Sequence, residues 1–391
     1  MHYETNLKRM KEYPISAQLL RCYKSDARMS MEVYADCLSA ALTLAGVEVS
    51  HFRPVSKLEA MARNRFVMRF LRYISYPRQV ASFAADGVQI QHVTDHGYAH
   101  LYPKLSAPVK VCAVHDLIPL LSWKGVIETE LAPSGEPVRS RSARRKPVLN
   151  LHSLAFLDRF DHLITISEQS ATDLVQYLGI DKQKISVVPP VIADQYVRQD
   201  RTEVTRVMTK YGLASDRKWV MISGSEYYKN HQNSLIAIAQ LRKRTKQNIG
   251  VFKSGWVTPE FTKMVEELGL SAHTVVAHVA GSDLPAIYSA IDCLCFPSLY
   301  EGFGMPVAEA AACGTPVVIS NRGALNELNL GLFPNLDPFD TQAISSAIEM
   351  ALFDTRLRDR TQQKGPEAVA RFRAEVVGQQ CVNVYQQLLK S

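Results

Sequence analysis

The sequence predicts an α/β protein made of two doubly wound domains that face each other across a cleft. Apolar, strand-like runs alternate with helical stretches along the chain, which is typical of parallel sheets covered by helices. The alternation stops once, at Pro189-Pro190, and a new strand begins only at Trp219–Ser223. With 391 residues, the chain is too long for one ordinary core and long enough for two.

The first half of the chain contains a series of predicted strands. They are Ile15–Cys22, Glu48–Arg53, Val88–His92, Val109–Val114, His162–Ile166 and Ile185–Val188. Helices are predicted between them, including Ser30–Ala45 and Glu168–Leu178. Ser167 is a good N-cap for the second helix, because its hydroxyl can accept a hydrogen bond from a free backbone N–H. Pro189 and Pro190 end the last strand, because proline cannot donate a ladder hydrogen bond.

The second half of the chain repeats this plan. Its predicted strands are Trp219–Ser223, Ile249–Lys253, Thr274–Ala277, Cys293–Phe296 and Pro316–Ile319. The tail from Thr341 to Leu389 is predicted to be nearly all helical. The predicted domains are residues 1–190, a linker over 191–205, residues 206–370, and a final helix within 371–391 that packs back toward the first domain. In open parallel sheets ligands bind outside the carboxyl ends of the strands, so the cleft is the expected site.

The composition, 47% hydrophobic and 21% charged, predicts a soluble globule. No apolar run is long enough to cross a bilayer, and Met1–Lys11 lacks the apolar core of a signal peptide. We therefore expect a cytoplasmic protein. The seven cysteines are scattered through apolar stretches, which favours buried free thiols. Cys293 and Cys295 have the wrong spacing for zinc and no histidine partner nearby.

Positive charge is concentrated in the first half of the chain. The net charge is +7, and residues 1–190 carry 24 Lys and Arg against 18 Asp and Glu. This surplus indicates an anionic partner or surface on that side, although no nucleic-acid-binding motif is present. The stretch Glu128–Lys146 is polar and contains two prolines, so it is predicted to be a surface loop.

The segment Met61–Arg78 mixes five arginines with apolar side chains. A helix of this composition can lie on an anionic membrane surface. It can equally be a domain helix with one buried face and an arginine-rich exposed face. Both interpretations stay open at this point.

Residues 297–320 give the most specific signal in the sequence. The strand ending at Phe296 is followed by a glycine-containing loop, Glu301–Met305. Pro306 suits the first turn of a helix that Gly314 ends. The free N–H groups and dipole at this helix N-terminus favour a phosphate, and Gly302 and Gly304 let the backbone approach it closely.

The carboxylates of Glu301 and Glu309 stand beside this predicted anion site. They would repel an anion unless they accept hydrogen bonds from hydroxyls, which a sugar and a ribose supply. The pair reproduces the Glu-x7-Glu motif of retaining GT-B glycosyltransferases of the family-four group. The flanking strings Pro-Ser-x-x-Glu-Gly-Phe-Gly-x-Pro and Glu-Ala-x-Ala-x-Gly-Thr-Pro-Val resemble that family almost word for word.

The resemblance implies a GT-B fold whose first domain binds the acceptor and whose second domain binds a nucleotide sugar. It implies that Glu301 meets the donor sugar as a catalytic residue and that Glu309 binds the ribose. It assigns donor contacts to the backbone of Phe303, Gly304 and Met305, next to Pro306.

The loop after the first strand of the second domain, Gly224–Asn230, resembles the segment of the family that holds the donor diphosphate. Ser225, Lys229 and Asn230 are the implied donor contacts, and Lys229 would neutralise the leaving group as a catalytic cation. Tyr228 replaces the usual arginine, so a second cation is unassigned; Lys229 as a plain surface lysine is the competing interpretation.

The stretch Val276–Ala280 resembles the segment that meets the nucleotide base, with Val279 as the donor contact. Tyr288 is expected to pack in the core instead.

In the first domain, polar residues at strand ends are predicted to face the cleft. His115, at the end of Val109–Val114, matches a family histidine that lies close to the sugar and the acceptor. The competing interpretation is a structural histidine paired with Asp116. The remaining acceptor-side candidates are Arg28, His92, Asp95, His96 and Asp116.

The triplet His92, Asp95 and His96 is interpreted as an acceptor-site wall rather than a metal site, because the family needs no metal ion. The usual Gly-Gly loop is replaced by Lys24–Ser30, in which Arg28 could supply the missing cation.

The resemblance implies transfer of a hexose from a nucleoside diphosphate sugar to a glycan or lipid-linked glycan, with retention and without metal or cofactor. Mannose from GDP-mannose is the first expectation and a UDP-sugar the second. The setting would be surface polysaccharide or lipopolysaccharide synthesis, peripheral on the inner face of the cytoplasmic membrane. The alternatives are a GT-B nucleotide-sugar epimerase and a catalytically degenerate GT-B binding subunit. Neither the acceptor nor the linkage follows from the sequence.

Overall fold

Two six-stranded parallel sheets form the framework of the computed structural model, which describes residues 14–26, 29–83, 87–129, 146–329 and 331–390. The first sheet contains β1 (Ser16–Leu20), β2 (Glu48–Phe52), β3 (Ile90–Val93), β4 (Val109–Val114), β5 (His162–Thr165) and β6 (Ile185–Val187). The second contains β7 (Lys218–Ser223), β8 (Ile249–Ser254), β9 (Thr274–Ala277), β10 (Cys293–Phe296), β11 (Val317–Ser320) and β12 (Asn335–Leu336).

Helices connect successive strands in both halves. Those before Pro189 are α1 (Met29–Leu44), α2 (Arg65–Phe70), α3 (Tyr76–Ser82), α4 (Ile118–Lys124), α5 (Val126–Thr129), α6 (Val148–Leu154) and α7 (Glu168–Leu178). The next are α8 (Arg201–Tyr211), α9 (His231–Thr245), α10 (Pro259–Glu267), α11 (Leu284–Ala290) and α12 (Met305–Ala312). The last are α13 (Leu325–Leu328), α14 (Thr341–Phe353), α15 (Thr355–Val369) and α16 (Ala374–Lys390).

The predicted strands all occur, with ends shifted by at most two residues, and β4, β9 and β10 match their predicted bounds. The two-residue strand β12 was missed, because it is too short to show a periodicity. The helix predicted over Met61–Arg78 begins only at Arg65, where the side chain of Asn64 caps it, and a π-helical turn at Leu71–Ser75 joins α2 to α3. The predicted loop Glu128–Lys146 lies almost entirely outside the described residues.

The order of the strands fixes where each sheet can hold a ligand. The first sheet is ordered β2-β1-β3-β4-β5-β6, and the second β12-β11-β10-β7-β8-β9. The direction of winding therefore reverses between β1 and β3 in the first sheet, and between β7 and β10 in the second. Helices leave opposite faces of the sheet at such a point, which opens a crevice at the carboxyl ends of the strands.

The C-terminal helix α16 packs on the first sheet, although it follows the second in sequence. One hydrophobic cluster includes Leu38 and Leu42 of α1, Val377 and Cys381 of α16, and residues of the second sheet. The phenol of Tyr385 lies 2.7 Å from His92 Nδ1 in β3. This crossing joins the two sheets through a continuous apolar core.

Among the described residues, no helix is long and apolar enough to cross a membrane.

Candidate functional site

Loops from both domains meet at the candidate site. The loops after β7 and β10, on the two sides of the switch point, carry Lys229 and Glu301. Lys229 Nζ donates to Glu301 Oε1 at 2.8 Å, and the two side chains are only 13% and 9% exposed. The backbone of His115, just after β4, lies against Gly302 of the same loop. A cation and a carboxylate therefore lie between the two domains.

The loop Glu301–Met305 leads directly into α12, as predicted. Gly304 is the N-cap residue and has a φ of 104°, where an added Cβ would lie 2.7 Å from Leu325 Cδ2. No side chain caps the helix; Pro306 has no N–H and Val307 N–H donates to Gly304 O at 2.9 Å, so Met305 N–H is the helix-start donor left for an anion. The Phe303 ring packs against Phe372 at 5.2 Å, which leaves only the backbone of Phe303 for a ligand.

Gly302 has a steric role in addition to the one predicted, which stays a prediction. We expected it to let the backbone approach a phosphate. In the structure, a Cβ on Gly302 would overlap the carbonyl oxygen of His115 and lie 3.1 Å from the Cβ of Asp116. The missing side chain therefore makes room for the first domain.

Glu309 lies one turn into α12 and is held by two phenols. Tyr288 donates to Glu309 Oε2 at 2.8 Å, and Tyr196 also hydrogen-bonds to this carboxylate. Burial raises the pKa of Glu309, and the two phenolic hydrogen bonds act in the opposite direction. Tyr288 is buried, as predicted, but no sequence pattern indicated that its hydroxyl, or that of Tyr196 in the linker, would orient Glu309.

Lys253, at the end of β8, is a site residue that the sequence analysis missed. Its side chain is completely buried, and Nζ donates to the carbonyl oxygens of Gly224 at 2.5 Å and Ser254 at 2.7 Å. Burial lowers the pKa of Lys253 to about 8. The available signal was a charged residue at the carboxyl end of an otherwise apolar strand, next to the switch point.

Asn230 was predicted to contact the donor, but its side chain hydrogen-bonds to the backbone of other loops in the second domain. Its φ is 57°, and its amide Nδ2 donates to Pro297 O at 3.0 Å and to Pro338 O at 2.7 Å. Asn230 therefore ties the loop after β7 to the loop after β10, and its amide has no free donor for a ligand. Of the other predicted contacts in this loop, Ser225 is half-buried, and its N–H donates to Glu226 at 3.0 Å.

His115 lies at the domain interface, and no described residue forms an ion pair with it. Its Nε2 lies 2.9 Å from Thr94 O, so this nitrogen carries the proton in the neutral ring and Nδ1 is left as an acceptor. The ring edge packs on Tyr34 at 4.5 Å. Asp116 accepts a hydrogen bond from Ile118 N at 2.9 Å instead, so the expected structural pair of His115 with Asp116 is absent.

The remaining acceptor-side candidates do not form one wall. His92 is completely buried beneath α16, and burial lowers its pKa to about 3, which is incompatible with the predicted acceptor contact. Asp95 accepts from Gly97 N at 2.7 Å and so caps the following turn. His96 Nδ1 lies 3.4 Å from His115 N. Arg28 lies outside the described residues.

No metal site is apparent among the residues that the structure describes: no group of three or more His, Cys, Asp or Glu side chains could hold an ion.

The region predicted to meet a nucleotide base contains an exposed aromatic pair. Trp256, just after β8, is 74% exposed, and its ring meets that of His278 edge-on at 4.2 Å. Gly255 N donates to Ala277 O at 3.0 Å, which aligns the two loops. The predicted contact, Val279, is half-buried and packs against the core. Trp256 was not predicted, since an isolated tryptophan carries no motif.

Two doubly wound domains with a lysine, two glutamates and a free helix N-terminus between them define a GT-B architecture. Residues 206–368 match the family described as Glycosyl transferases group 1, and residues 28–196 match Glycosyltransferase Family 4. The chain belongs to these GT-B glycosyltransferases, as its motifs predicted.

The similarity extends to characterised relatives and solved structures. The O-antigen chain mannosyltransferase B of Escherichia coli is 30% identical over 59% of this chain and 62% of its own length. Sucrose-phosphate synthase from Thermosynechococcus elongatus matches 96% of this chain and 99% of its own, with a TM-score of 0.72 and 20% identity. The Anabaena protein HepE in complex with UDP-glucose matches 95% of this chain and 100% of its own, with a TM-score of 0.71 and 15% identity. The chain thus spans less than two thirds of the curated relative, and the structures share the GT-B fold.

Proposed function

We propose that this protein transfers a hexose from a nucleoside diphosphate sugar to a glycan acceptor, with retention of the anomeric configuration. The observation that carries this proposal is the grouping of Lys229, Glu301 and Glu309 around the uncapped N-terminus of α12, at the switch point of the second sheet. A cation and a free N–H group suit a diphosphate, and the two carboxylates suit hydroxyls.

The proposed reaction exchanges one bond at the anomeric carbon for another. The bond to the diphosphate oxygen breaks, and its electron pair leaves with the nucleoside diphosphate. The acceptor hydroxyl forms the new bond from the same face, and its proton passes to the departing diphosphate. Lys229 and the Met305 N–H at the start of α12 stabilise the charge that develops on the leaving group, so no metal ion is required.

Each neighbouring residue has a part in this proposal. When a diphosphate binds Lys229 in place of Glu301, the Glu301 carboxylate accepts a hydrogen bond from a hydroxyl of the donor sugar. The Glu309 carboxylate accepts a hydrogen bond from the ribose. His115 Nδ1 accepts from a sugar or acceptor hydroxyl, since Nε2 is engaged by Thr94. Lys253 positions the loop that carries Lys229, because its buried Nζ donates to the carbonyl oxygen of Gly224 in that loop.

Mannose is the proposed sugar and GDP the proposed nucleotide. The name of the Escherichia coli relative supports mannose. UDP is the second candidate, since HepE with a related fold was solved with UDP-glucose. Trp256 and His278 form the proposed surface for the base.

A GT-B epimerase or a degenerate binding subunit is less well supported. An epimerase would need no acceptor, and the relative is named for a transfer reaction. A degenerate protein has no reason to retain Glu309 between two phenols or Lys229 against Glu301.

We further propose that α2 and α3 bring the protein to an anionic membrane surface. Phe66, Phe70 and Ile74 lie four residues apart, on one face, and are 73%, 41% and 42% exposed. Exposed arginines flank this stripe, which is the composition of an interfacial helix.

In vesicle sedimentation, the variant F66S/F70S should lose binding to anionic vesicles. F353S, at a phenylalanine of α14 that is as exposed as Phe70, should retain it.

The test of the donor site is a thermal-shift panel of GDP, UDP, ADP and dTDP against the wild type, Glu309→Ala and Glu266→Ala. Glu266 is exposed on α10 and serves as the matched control. A ligand that binds the folded state raises the melting temperature. We expect GDP to stabilise the wild type and the control, and Glu309→Ala to be stabilised less. An unchanged melting temperature with all four at millimolar concentration contradicts the proposal.

The reaction itself is tested with GDP-mannose in the presence of EDTA. Release of GDP should continue after chelation, and the new anomeric linkage should keep the donor configuration in NMR spectra. Loss of activity that only a divalent ion restores would contradict the metal-independent step.

A further inference from the structure

An arginine-lined cavity lies in the first domain, separate from the donor site. Its volume is about 250 Å³, and it is lined by Arg65, Arg69 and Arg72 together with Asp26, Tyr73 and Asn150. The three arginines follow one another at i, i+4 and i+7, which places them along one side of the helical stretch that begins with α2. They converge on the cavity from a single element.

Arg72 is held rigidly in this cavity. Its Nη2 donates to Gly97 O at 2.5 Å, its Nη1 lies 3.6 Å from Asp26, and its guanidinium stacks over Tyr98 at 4.4 Å. Asp26 in turn accepts from the Tyr98 hydroxyl at 2.7 Å. The lone carboxylate of the cavity is therefore already engaged by a phenol and by one arginine.

The other two arginines have no carboxylate partner in the described part of the chain. No ion pair among the described residues includes Arg65 or Arg69, and the Arg69 guanidinium lies 6.0 Å from the centroid of the Phe66 ring. With three guanidinium groups facing one carboxylate, the cavity carries an excess of two positive charges. This charge matches a phosphate dianion or a diphosphate.

Two buried polar atoms in the cavity walls lack a hydrogen-bond partner. They are Arg72 Nε and Asn150 Oδ1. Buried polar groups are rarely left unsatisfied in native proteins, so each such atom calls for a partner. A ligand bearing both oxygen acceptors and hydroxyl donors would satisfy the arginine and the amide together.

The cavity also lies where the first sheet can hold a ligand. Asp26 follows β1 and Tyr98 follows β3, the two strands between which the order of the sheet reverses. Crevices at such switch points are the usual ligand sites of open parallel sheets. His115 follows β4 on the same edge, so the cavity and the proposed transfer site share one side of the first domain.

We propose that this cavity binds a phosphate group of the acceptor, as a phosphorylated sugar or a diphosphate-linked glycan. The inference rests on the proposed transferase function, because it assigns the acceptor to the first domain. The arginines bind the phosphate oxygens, and the unsatisfied Asn150 Oδ1 accepts from an adjacent hydroxyl. The acceptor hydroxyl is thereby fixed relative to His115.

The test is a calorimetric titration of GDP-saturated protein with inorganic diphosphate and, separately, with mannose 1-phosphate. GDP occupies the donor site, so the remaining anion binding reports on the cavity. The variant R65Q/R69Q should bind both probes at least about tenfold more weakly, because each loses two charge-assisted contacts. The control R63Q/R78Q removes two exposed arginines of the same segment outside the cavity and should bind like the wild type.

Three further outcomes separate this proposal from the others. If R65K/R69K recovers part of the binding and all variants melt like the wild type, the loss is one of charge and not of folding. If R65Q/R69Q and R63Q/R78Q bind the probes equally well, the proposed phosphate site is contradicted. It is also contradicted if R65Q/R69Q loses binding to anionic vesicles but not to the soluble probes. If GDP fails to bind while R65Q/R69Q still weakens the binding of diphosphate, the donor assignment fails and the cavity stands.

Discussion

At the scale of single residues, the contact between Lys229 and Glu301 explains how the site can respond to a donor. Both side chains are nearly buried, and the salt bridge neutralises them while no ligand is present. A diphosphate competes for Lys229 because it offers more negative charge and more oxygen atoms than one carboxylate. Glu301 then becomes free to accept from a sugar hydroxyl, so donor binding itself would prepare the carboxylate.

Replacing Lys229 should therefore slow the reaction more than it weakens the fold. We expect Lys229→Met to lower kcat about 10²–10³-fold, as when one stabilising donor is lost from a developing charge. The measurement is steady-state kinetics with GDP-mannose, and Lys243→Met, on the exposed side of α9, is the control. A variant within threefold of the wild type would show that another group neutralises the leaving diphosphate.

Gly302 offers a second test at this scale. A methyl group there would overlap the His115 carbonyl oxygen, so Gly302→Ala should hold the domains apart and lower kcat while GDP still binds. Gly281→Ala is the matched control, because a Cβ at Gly281 meets nothing within 4 Å. Kinetics and GDP titration of both variants make the comparison. Unchanged kcat in Gly302→Ala would mean that this close approach is not needed for catalysis.

At the scale of elements, the N-terminus of α7 connects the two domains. The N–H groups of Glu168 and Gln169 donate to Glu327 of the second domain at 3.0 and 2.8 Å. A carboxylate at a helix N-terminus is favoured both by these hydrogen bonds and by the helix dipole. Tyr300, also in the second domain, hydrogen-bonds to Asp173 of α7. Helix α7 is thus one of the elements through which the second domain contacts the first.

Breaking this cap should loosen the contact between the two domains. We expect Glu327→Ala to weaken closure by about 0.5–2 kcal/mol, the usual value of a helix cap. The result should be a larger radius of gyration in small-angle scattering and a lower kcat, with GDP affinity nearly unchanged. Glu266→Ala removes an exposed glutamate of α10 and should change neither quantity. Equal scattering curves for wild type and Glu327→Ala would show that the cap does not control closure.

At the scale of the whole molecule, buried histidines make stability depend on pH. Burial lowers the pKa of His92 to about 3, and those of His100 and His231 to about 4. A histidine in the unfolded chain has a pKa near 6.5. Below that pH the unfolded chain therefore binds protons that the folded chain does not bind. The free energy of unfolding therefore keeps the full contribution of the neutral histidines above about pH 6.5. It decreases as the pH falls toward 4.

The free energy of unfolding should accordingly fall between pH 6.5 and 4, by up to about 1.4 kcal/mol per pH unit for each buried histidine, and the melting temperature should fall with it. Calorimetry over this range measures the slope, and return to pH 7.5 checks reversibility. His92→Phe should reduce the slope by the contribution of one proton taken up on unfolding. It also removes the contact with Tyr385. A melting temperature that rises as pH falls through 6 would contradict this account.

The alternation of strands and helices was predictable because it depends on local patterns of apolar residues, and so were the positions of Glu301, Glu309 and Lys229. These residues belong to loops at strand ends, where the chain direction alone predicts the edge of the sheet. The task of Asn230 was not predictable, because its amide binds Pro297 and Pro338, far along the chain. The burial of His92 depends on α16, which returns from the other end of the sequence.

The sequence by itself thus determined the two-domain α/β class, the family and the loop that begins α12, since each is encoded in neighbouring residues. Only the tertiary structure decided that Tyr196 and Tyr288 orient Glu309, that Lys253 lies beside Gly224, and that arginines of α2 line a cavity. These features depend on strand order and on the packing of distant segments. Periodicity and motif spacing carry no information about such contacts, because the residues involved are neighbours only after the chain has folded.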